Sequence, residues 1–300
     1  MKRKLHKEMI FVILSGVLSG TVVFGGAIFE KLGLSAYEVT LYPGMPALIL
    51  TFILLVRNND LRFPKDITGN MLLFTLALLF NNYGQYFAVF LGVSVPLAVL
   101  LLYTQPLWTV LTSWLILKQK ITKIQIVACI AVLIGTVVLL NPFSVEWKAS
   151  WLGIVVALLG GIGLSGWVSI GNVISKKGNS PLNTKFWSSL ILAGVTIIIY
   201  PIFVHFIKDQ SLVRLSFSFS SDIWFYILVY GIITSFFIQI LYYAGATKVS
   251  AVDSGIILLV EPLIGSILAV LFLGDSLTPN ILIGGVFILL ANYLVINEEG

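Results

Sequence analysis

Charge is scarce in this chain. Asp, Glu, Lys and Arg make up 10% of its 300 residues, well under half the share found in soluble domains, and so few charges exclude a soluble globular surface. Histidine is rarer still: His6 and His205 lack the spaced partners that a metal centre needs. The single cysteine, Cys129, can form no internal disulfide and reads as a small packing residue. No Gly-Lys-Ser/Thr phosphate loop occurs, so the chain does not couple work to ATP by itself. No cofactor is called for.

Apolar residues fill the space. They make up 58% of the chain, with a mean hydropathy of +1.03, and they run in stretches of about twenty residues, enough to cross roughly 30 Å of hydrocarbon. Ten such spans are predicted: 9–29, 36–56, 67–90, 94–117, 121–140, 150–174, 183–206, 222–246, 250–273 and 278–296. The expected class is an all-α integral membrane protein. Basic residues sit beside the spans, so the formal charge of +5 reflects topology and not nucleic-acid binding. With the N-terminus inside, Lys2, Arg3, Lys4, Lys7, Arg57, Arg62, Lys65, Lys118, Lys120, Lys123, Lys176, Lys177, Lys185 and Lys248 are internal, and only Lys31, Lys148, Lys208 and Arg214 are external. This asymmetry predicts cytoplasmic termini in a plasma membrane, as expected for a prokaryote. The basic start before Met9 is read as the flank of span 1, not as a cleaved signal. Trp147, Trp151 and Trp224, near span ends, read as interfacial belt residues.

The chain also repeats itself. Leu101-Leu102-Tyr103-Thr104-Gln105-Pro106 is echoed 156 residues later by Ile257-Leu258-Leu259-Val260-Glu261-Pro262, and the same offset pairs Ser94 with Ser250 and Thr122 with Thr278. The first two spans of each half match at an offset of 145, pairing Gly16 with Gly161, Gly33 with Gly178 and Ser35 with Ser180. The eleven-residue difference fits the longer link between His205 and Asp222. Halves of five spans, 1–146 and 147–300, must enter the membrane from opposite sides, which makes them inverted repeats about a central cavity. The Lys118, Lys120, Lys123 loop against its base-free counterpart Gly274-Asp275-Ser276 points the same way.

The five-plus-five plan, the Leu117-to-Thr122 and Leu273-to-Thr278 span ends, and the Gln105-Pro106 and Glu261-Pro262 pairs resemble the EamA family of the drug/metabolite transporter superfamily. The resemblance implies a transporter whose cavity is lined mainly by spans 1, 3, 4, 6, 8 and 9, with spans 5 and 10 peripheral. It also implies export or exchange of amino acids or other small metabolites. Gln119 and Asp275 stand where the family often has glutamate, and Tyr42-Pro43 where it has an arginine, which argues against phosphorylated substrates.

Glu261 is the sharpest candidate for function. A carboxylate in mid-span costs about 2.5–3.5 kcal/mol and persists where it faces a cavity or partner, so it is the candidate proton carrier; the rival reading is a structural group at the Pro262 kink. Its counterpart Gln105 cannot titrate. Asp253 reads first as capping after Ser250. Asn82, Gln85 and Tyr86 share one face of span 3, Ser235, Gln239 and Tyr242 one face of span 8, and Ser165, Ser169 and Asn172 one face of span 6. Such stripes serve either a ligand or interhelical hydrogen bonds. Ser15 and Ser19 repeat the stripe on span 1, where Gly16-xxx-Gly20 reads as close packing. Tyr83, Tyr103, Trp108 and Trp167 would complete an amphipathic cage around a small-molecule ligand, with Pro106 and Pro262 as gating kinks. Lys248 is read as a positive-inside lysine, and Glu30 and Glu38 as solvated residues at the first external turn.

The expected function is secondary transport by alternating access, as a monomer or homodimer among membrane lipids. A channel-like facilitator is the alternative. A lipid-modifying intramembrane enzyme is disfavoured, because paired intramembrane carboxylates are missing.

Overall fold

The computed structural model describes residues 7–63, 68–91, 93, 95–141, 151–274 and 276–299. Lys2, Arg3, Lys4, His6, Lys65, Ser94, Trp147, Lys148 and Asp275 lie outside them, as do the side chains of Glu30, Gln85 and Tyr86. The helices are α1 (Lys7–Lys31), α2 (Ala36–Leu41), α3 (Gly44–Arg57), α4 (Thr68–Phe90), α5 (Val95–Leu102), α6 (Gln105–Leu115), α7 (Lys123–Leu140), α8 (Trp151–Lys176), α9 (Pro181–Phe206), α10 (Ser221–Gly231), α11 (Ile238–Gly245), α12 (Ala251–Leu258), α13 (Glu261–Leu268) and α14 (Pro279–Glu299). Among the described residues eight stretches are long and apolar enough to cross a membrane: α2–α3, α5–α6, α7, α8, α9, α10–α11, α12–α13 and α14. The chain is a multi-pass, nearly all-helical integral membrane protein.

Several spans are composite, and the sequence explains where they break. Pro106 and Pro262 have no N–H to donate back along the helix, so the ladder is interrupted one turn earlier. The amides of Thr104 and Val260 turn instead to Leu101 and Ile257 three residues back, at 3.3 and 3.1 Å. Helices α6 and α13 then restart at Gln105 and Glu261. Pro43 divides α2 from α3 in the same manner, and Gly231 packs directly on the Pro43 carbonyl, where a Cβ would sit 2.3 Å from the oxygen. Ile232–Phe237 between α10 and α11, and Ala269–Leu273 after α13, are wound as π-helix.

Packing inverts the soluble pattern. Leu115, Ile116 and Phe272 point outward at 60–71% exposure, while Ser165, Asn172, Thr109 and Gln105 are buried, as expected where lipid replaces water. All eight residues of α12 are buried, so α12 lies at the centre. Helix α4 packs along α8, α7 along α14, α1 along α11 and α13, α5 and α6 along α8, and α3 along α9. Cys129 is buried in the α7–α14 layer. Gly135 and Gly284 meet there backbone to backbone, with a Cβ on either falling 2.8 and 2.5 Å from the other's carbonyl.

Corresponding positions share local geometry. Gly33 and Gly178 are left-handed at φ 79° and 77°, and Lys118 and Gly274 at 52° and 80°. Gly16 packs on Ile257, Leu258 and Val260, and Gly161 on Leu101, Leu102 and Thr104, which are the same three places in the two broken spans. Gly20 continues the first contact against Ile264 and Gly265, so the small-xxx-small motif of α1 serves close packing.

Most described basic residues collect at one end of the bundle, called here the basic end. There Lys248 pairs with Glu8 at 2.7 Å, Thr122 donates to Glu298 at 2.9 Å, Gln125 donates to Asp253 at 3.0 Å, and Asn183 donates to the Asp60 carbonyl at 2.7 Å. At the opposite end the segment 207–220 forms a strap across the start of α2. Its Ser211 and Leu212 carbonyls accept from the amides of Ala36 and Tyr37 at 3.0 and 2.9 Å.

Candidate substrate site between the broken helices

The two helix breaks belong to one buried neighbourhood. The Tyr103 hydroxyl lies beside the Glu261 carboxyl across the gap between the two broken spans. Tyr103 is buried and Glu261 partly so. The Gln105 amide nitrogen abuts Gly255 of α12, where a Cβ would stand 2.6 Å from it. From there a polar thread runs into α8: Gln105 donates to Thr109 Oγ1, and Thr109 to Ser165 at 3.0 Å. Thr112 and Ser169 are 3.2 Å apart one turn further on. Trp108 donates its indole N–H to Thr104 at 3.0 Å, steadying the turn before α6.

Neither α6 nor α13 has a side-chain cap at its N-terminus. The second residue of each is a proline without an N–H, and the Leu107 and Ile264 amides turn back to the Thr104 and Val260 carbonyls at 3.0 Å. Glu261 itself stands in the first turn of α13. The two breaks thus bring a carboxyl beside a phenol, and a carboxamide against α12. Such groups can hold both the polar and the charged ends of a small organic molecule.

Other candidates lie elsewhere. Trp167, Tyr242 and Gln239 gather between α8 and α11: the Trp167 and Tyr242 rings are 4.5 Å apart, Trp167 donates to the Tyr243 hydroxyl at 3.2 Å, and Tyr243 donates to Gln239 at 3.4 Å. Tyr242 is fully buried and donates to the Val168 carbonyl at 2.5 Å, a helix-to-helix tie. Asn172 donates to the Val249 and Ala246 carbonyls, closing the turn between α11 and α12 at the basic end. Asn82 turns back on its own helix, donating to Leu78 at 2.7 Å. Tyr83 lies towards the strap in an aromatic cluster with Tyr37, Phe87 and Phe203 and donates to Thr196 at 3.2 Å. Asp253 combines two tasks: its amide donates to Ser250 at 3.1 Å in the capping turn, and its buried carboxylate accepts from Gln125 of α7.

Two charged residues depart from the sequence reading. Glu38 is not solvated: its side chain is fully buried, accepts from the Ser35 and Ser216 amides at 2.7 Å each, and pairs with Arg214 at 3.0 Å. The capping motif Ser35-Ala-Tyr-Glu38 was a visible signal for part of this, whereas Arg214 lies 176 residues away. Lys185, read as a topological lysine, is 4% exposed. Its neighbours on α9, Thr184, Ser188 and Ser189, are buried polar residues too, and that run is the signal a sequence reading could have used.

The whole chain has relatives of the same organisation. It is 27% identical to an uncharacterized transporter of Clostridium kluyveri, over 97% of this chain and 93% of that one. It is 25% identical to an uncharacterized transporter of Archaeoglobus fulgidus, over 93% and 92%. A solved crystal structure only 14% identical superposes with a TM-score of 0.79 over 97% of this chain and 96% of the other, which establishes the fold alone. The model of the EamA-like transporter family matches residues 6–141 and 151–297. Broken spans, polar residues turned inward and a family match over nearly the full length converge: the chain belongs to the EamA-like transporter family of the drug/metabolite transporter superfamily.

Proposed function

We propose that the protein is a secondary transporter that exports or exchanges small amphipathic metabolites, such as amino acids or their derivatives, by alternating access. It is built from ten membrane helices as two inverted halves, 1–146 and 147–300, with both termini in the cytoplasm of a prokaryotic cell. The observation that carries this reading is the opposition of the two proline-broken spans, with Tyr103 on Glu261 and Gln105 on Gly255. The matched left-handed elbows and the equivalent seats of Gly16 and Gly161 support the repeat, because unrelated halves have no reason to share them. The collection of lysines at one end supports the orientation.

In this mechanism the substrate's polar group replaces the Tyr103–Glu261 contact, and the halves rock about the breaks so that the site opens to one side at a time. Glu261 carries a proton in the exchange step. Purified protein in proteoliposomes should show saturable uptake and counterflow of a preloaded metabolite. Glu261→Gln should lose the pH dependence of that flux. Flux that does not saturate and shows no counterflow would assign the protein to the facilitators. A full pH dependence in the Gln variant would remove Glu261 from coupling.

A further inference from the structure

Among the described residues, the buried Lys185 has no acidic partner. It is 4% exposed, and its side chain has no hydrogen-bond or ion-pair partner among the described residues, while its backbone carbonyl accepts from Ser188 at 3.0 Å. The helices packed on α9, namely α3, α4, α8 and α11, contain no aspartate or glutamate. Among the described residues of the 58–63 link, the acid Asp60 is engaged elsewhere: Asn183 reaches it at 3.3 Å and Arg62 pairs with it at 3.4 Å. Position makes the cation costlier. Lys185 stands in the second turn of α9, whose cap residue Ser180 makes no side-chain hydrogen bond and whose first residue is Pro181, and a helix N-terminus already favours negative charge.

The surroundings are polar and unsatisfied. Thr184 Oγ1 on α9 and Ser175 Oγ at the end of α8, on either side of the short link 177–180, are buried without a partner, as is Asn172 Oδ1 one turn before Ser175. One turn along the Lys185 face, Ser188 lies in hydrogen-bonding reach of the buried Tyr243 hydroxyl. Buried hydroxyls of this kind normally have partners. Here two of them lie on either side of the link that leads into the Lys185 turn, and exposed Arg57, Lys176 and Lys177 stand at the same end of the bundle, where basic charge draws anions.

Resting on the transport reading above, we propose that Lys185, with Thr184 and Ser175, forms an access subsite at the basic end that takes the carboxylate of the transported metabolite. The subsite is separate from the central one. At 1.5 Å per helical residue, Lys185 lies about 6 Å from its end of α9 and Glu261 about 15 Å from the start of α12, so one small zwitterion cannot bridge them. A carboxylate would be held at Lys185 when the basic end is open, then passed inward to the helix breaks.

The test uses the full-length protein in detergent and a panel of L-amino acids, their amides and short monocarboxylates, with chloride and inorganic phosphate at equal ionic strength as separate arms. Lys185→Met should raise the melting temperature of the ligand-free protein, because it replaces a buried amine that has no partner among the described residues with an apolar side chain of similar length. It should also raise the half-saturating concentration of carboxylate probes about tenfold or more, the loss of one charge-assisted contact, while Lys185→Arg retains much of the response. A lower melting temperature for Lys185→Met would reveal a structural partner and overturn the site. So would carboxylate stabilisation that is equal in wild type and Met variant, or absent from wild type, or matched by chloride or phosphate. Saturable proteoliposome flux of the carboxylate probes with an unchanged half-saturating concentration in the Met variant would sink the subsite and leave transport standing. A carboxylate shift that needs Lys185, without saturable flux of any probe, would do the reverse.

Discussion

Glu38 and Arg214 tie the strap to the start of α2 through a carboxylate with no solvent contact. The Glu38 oxygens satisfy two amides as well as the guanidinium, and Arg214 also donates to the Gly33 carbonyl. Glu38→Ala orphans those amides and should cost about 2–3 kcal/mol, read as a lower melting temperature in detergent and faster hydrogen exchange at Ser216. Hydrogen bonding to Glu38 raises the proton affinity of Arg214, so its contribution is complete below the ordinary arginine value and fades only as pH climbs through a still higher one. The Ser211 hydroxyl and amide hold the exposed Asp209 carboxyl below its ordinary 3.8, so its contribution is complete above that value and fades as pH falls through the lower one. Strap docking, followed by a fluorophore on the exposed Ser218→Cys, should therefore be level from about pH 5 to about pH 9 and loosen first in acid. Single-residue roles were the least legible part of the sequence. Asp253 was readable because Ser250 stands three residues before it, whereas Glu38 and Lys185 were misread because their surroundings come from segments more than a hundred residues distant or from the packing of four other helices.

The helix breaks at Pro106 and Pro262 were legible in advance, since they depend on chemistry local in the chain, whereas the divisions at Pro43 and at Ile232–Phe237 were not foreseen. Proline withholds a donor at Pro106 and Pro262 wherever the rest of the fold lies, and glycine permits the positive φ at Gly33 and Gly178. The contents of each helix face were less so. The stripe Ser165, Ser169, Asn172 was visible by spacing, yet two of its members serve α6 and the third the α11–α12 turn, and hydrophobic periodicity does not say which neighbour a polar side chain will find. Close helix contacts give a sharper expectation. A methyl group on Gly161 would lie 2.8 and 2.9 Å from two carbonyl oxygens of α5, whereas one on Gly16 would lie 3.0 Å from the Val260 side chain and 3.1 Å from the Ile257 carbonyl, slightly looser contacts. Gly161→Ala should thus destabilise by about 1–3 kcal/mol and Gly16→Ala by less, in thermal melts of the two variants. Equal melting temperatures would mean that α8 can shift on α5 without loss.

For the molecule as a whole, the strap end must part if the halves rock. The Ala36 amide and the Ser211 carbonyl are 3.0 Å apart, and the native Cys129 is buried, so a cysteine pair at 36 and 211 can be oxidised selectively. The oxidised protein should lose counterflow in proteoliposomes and regain it on reduction. Undiminished flux in the cross-linked form would show that the strap stays seated throughout the cycle. The membrane-embedded class was legible from composition because hydropathy integrates over the chain. The choice between open and closed ends was not, since it depends on contacts such as Tyr37 with Tyr83 and Phe203 that no single segment contains.

The elbow after α6 has a consequence for how the protein is made. Lys118 holds a left-handed backbone at φ 52° where its counterpart Gly274 does so freely, and a side chain in that conformation costs about 1 kcal/mol or more. Glycine at 118 would relax the finished structure, yet it would remove one of the lysines that retain this loop on its own side during insertion. Lys118→Gly should therefore melt slightly higher once purified while yielding a larger fraction of wrongly oriented chains, scored by cysteine accessibility in intact cells. At this residue the instruction for biosynthesis is written at the expense of the product.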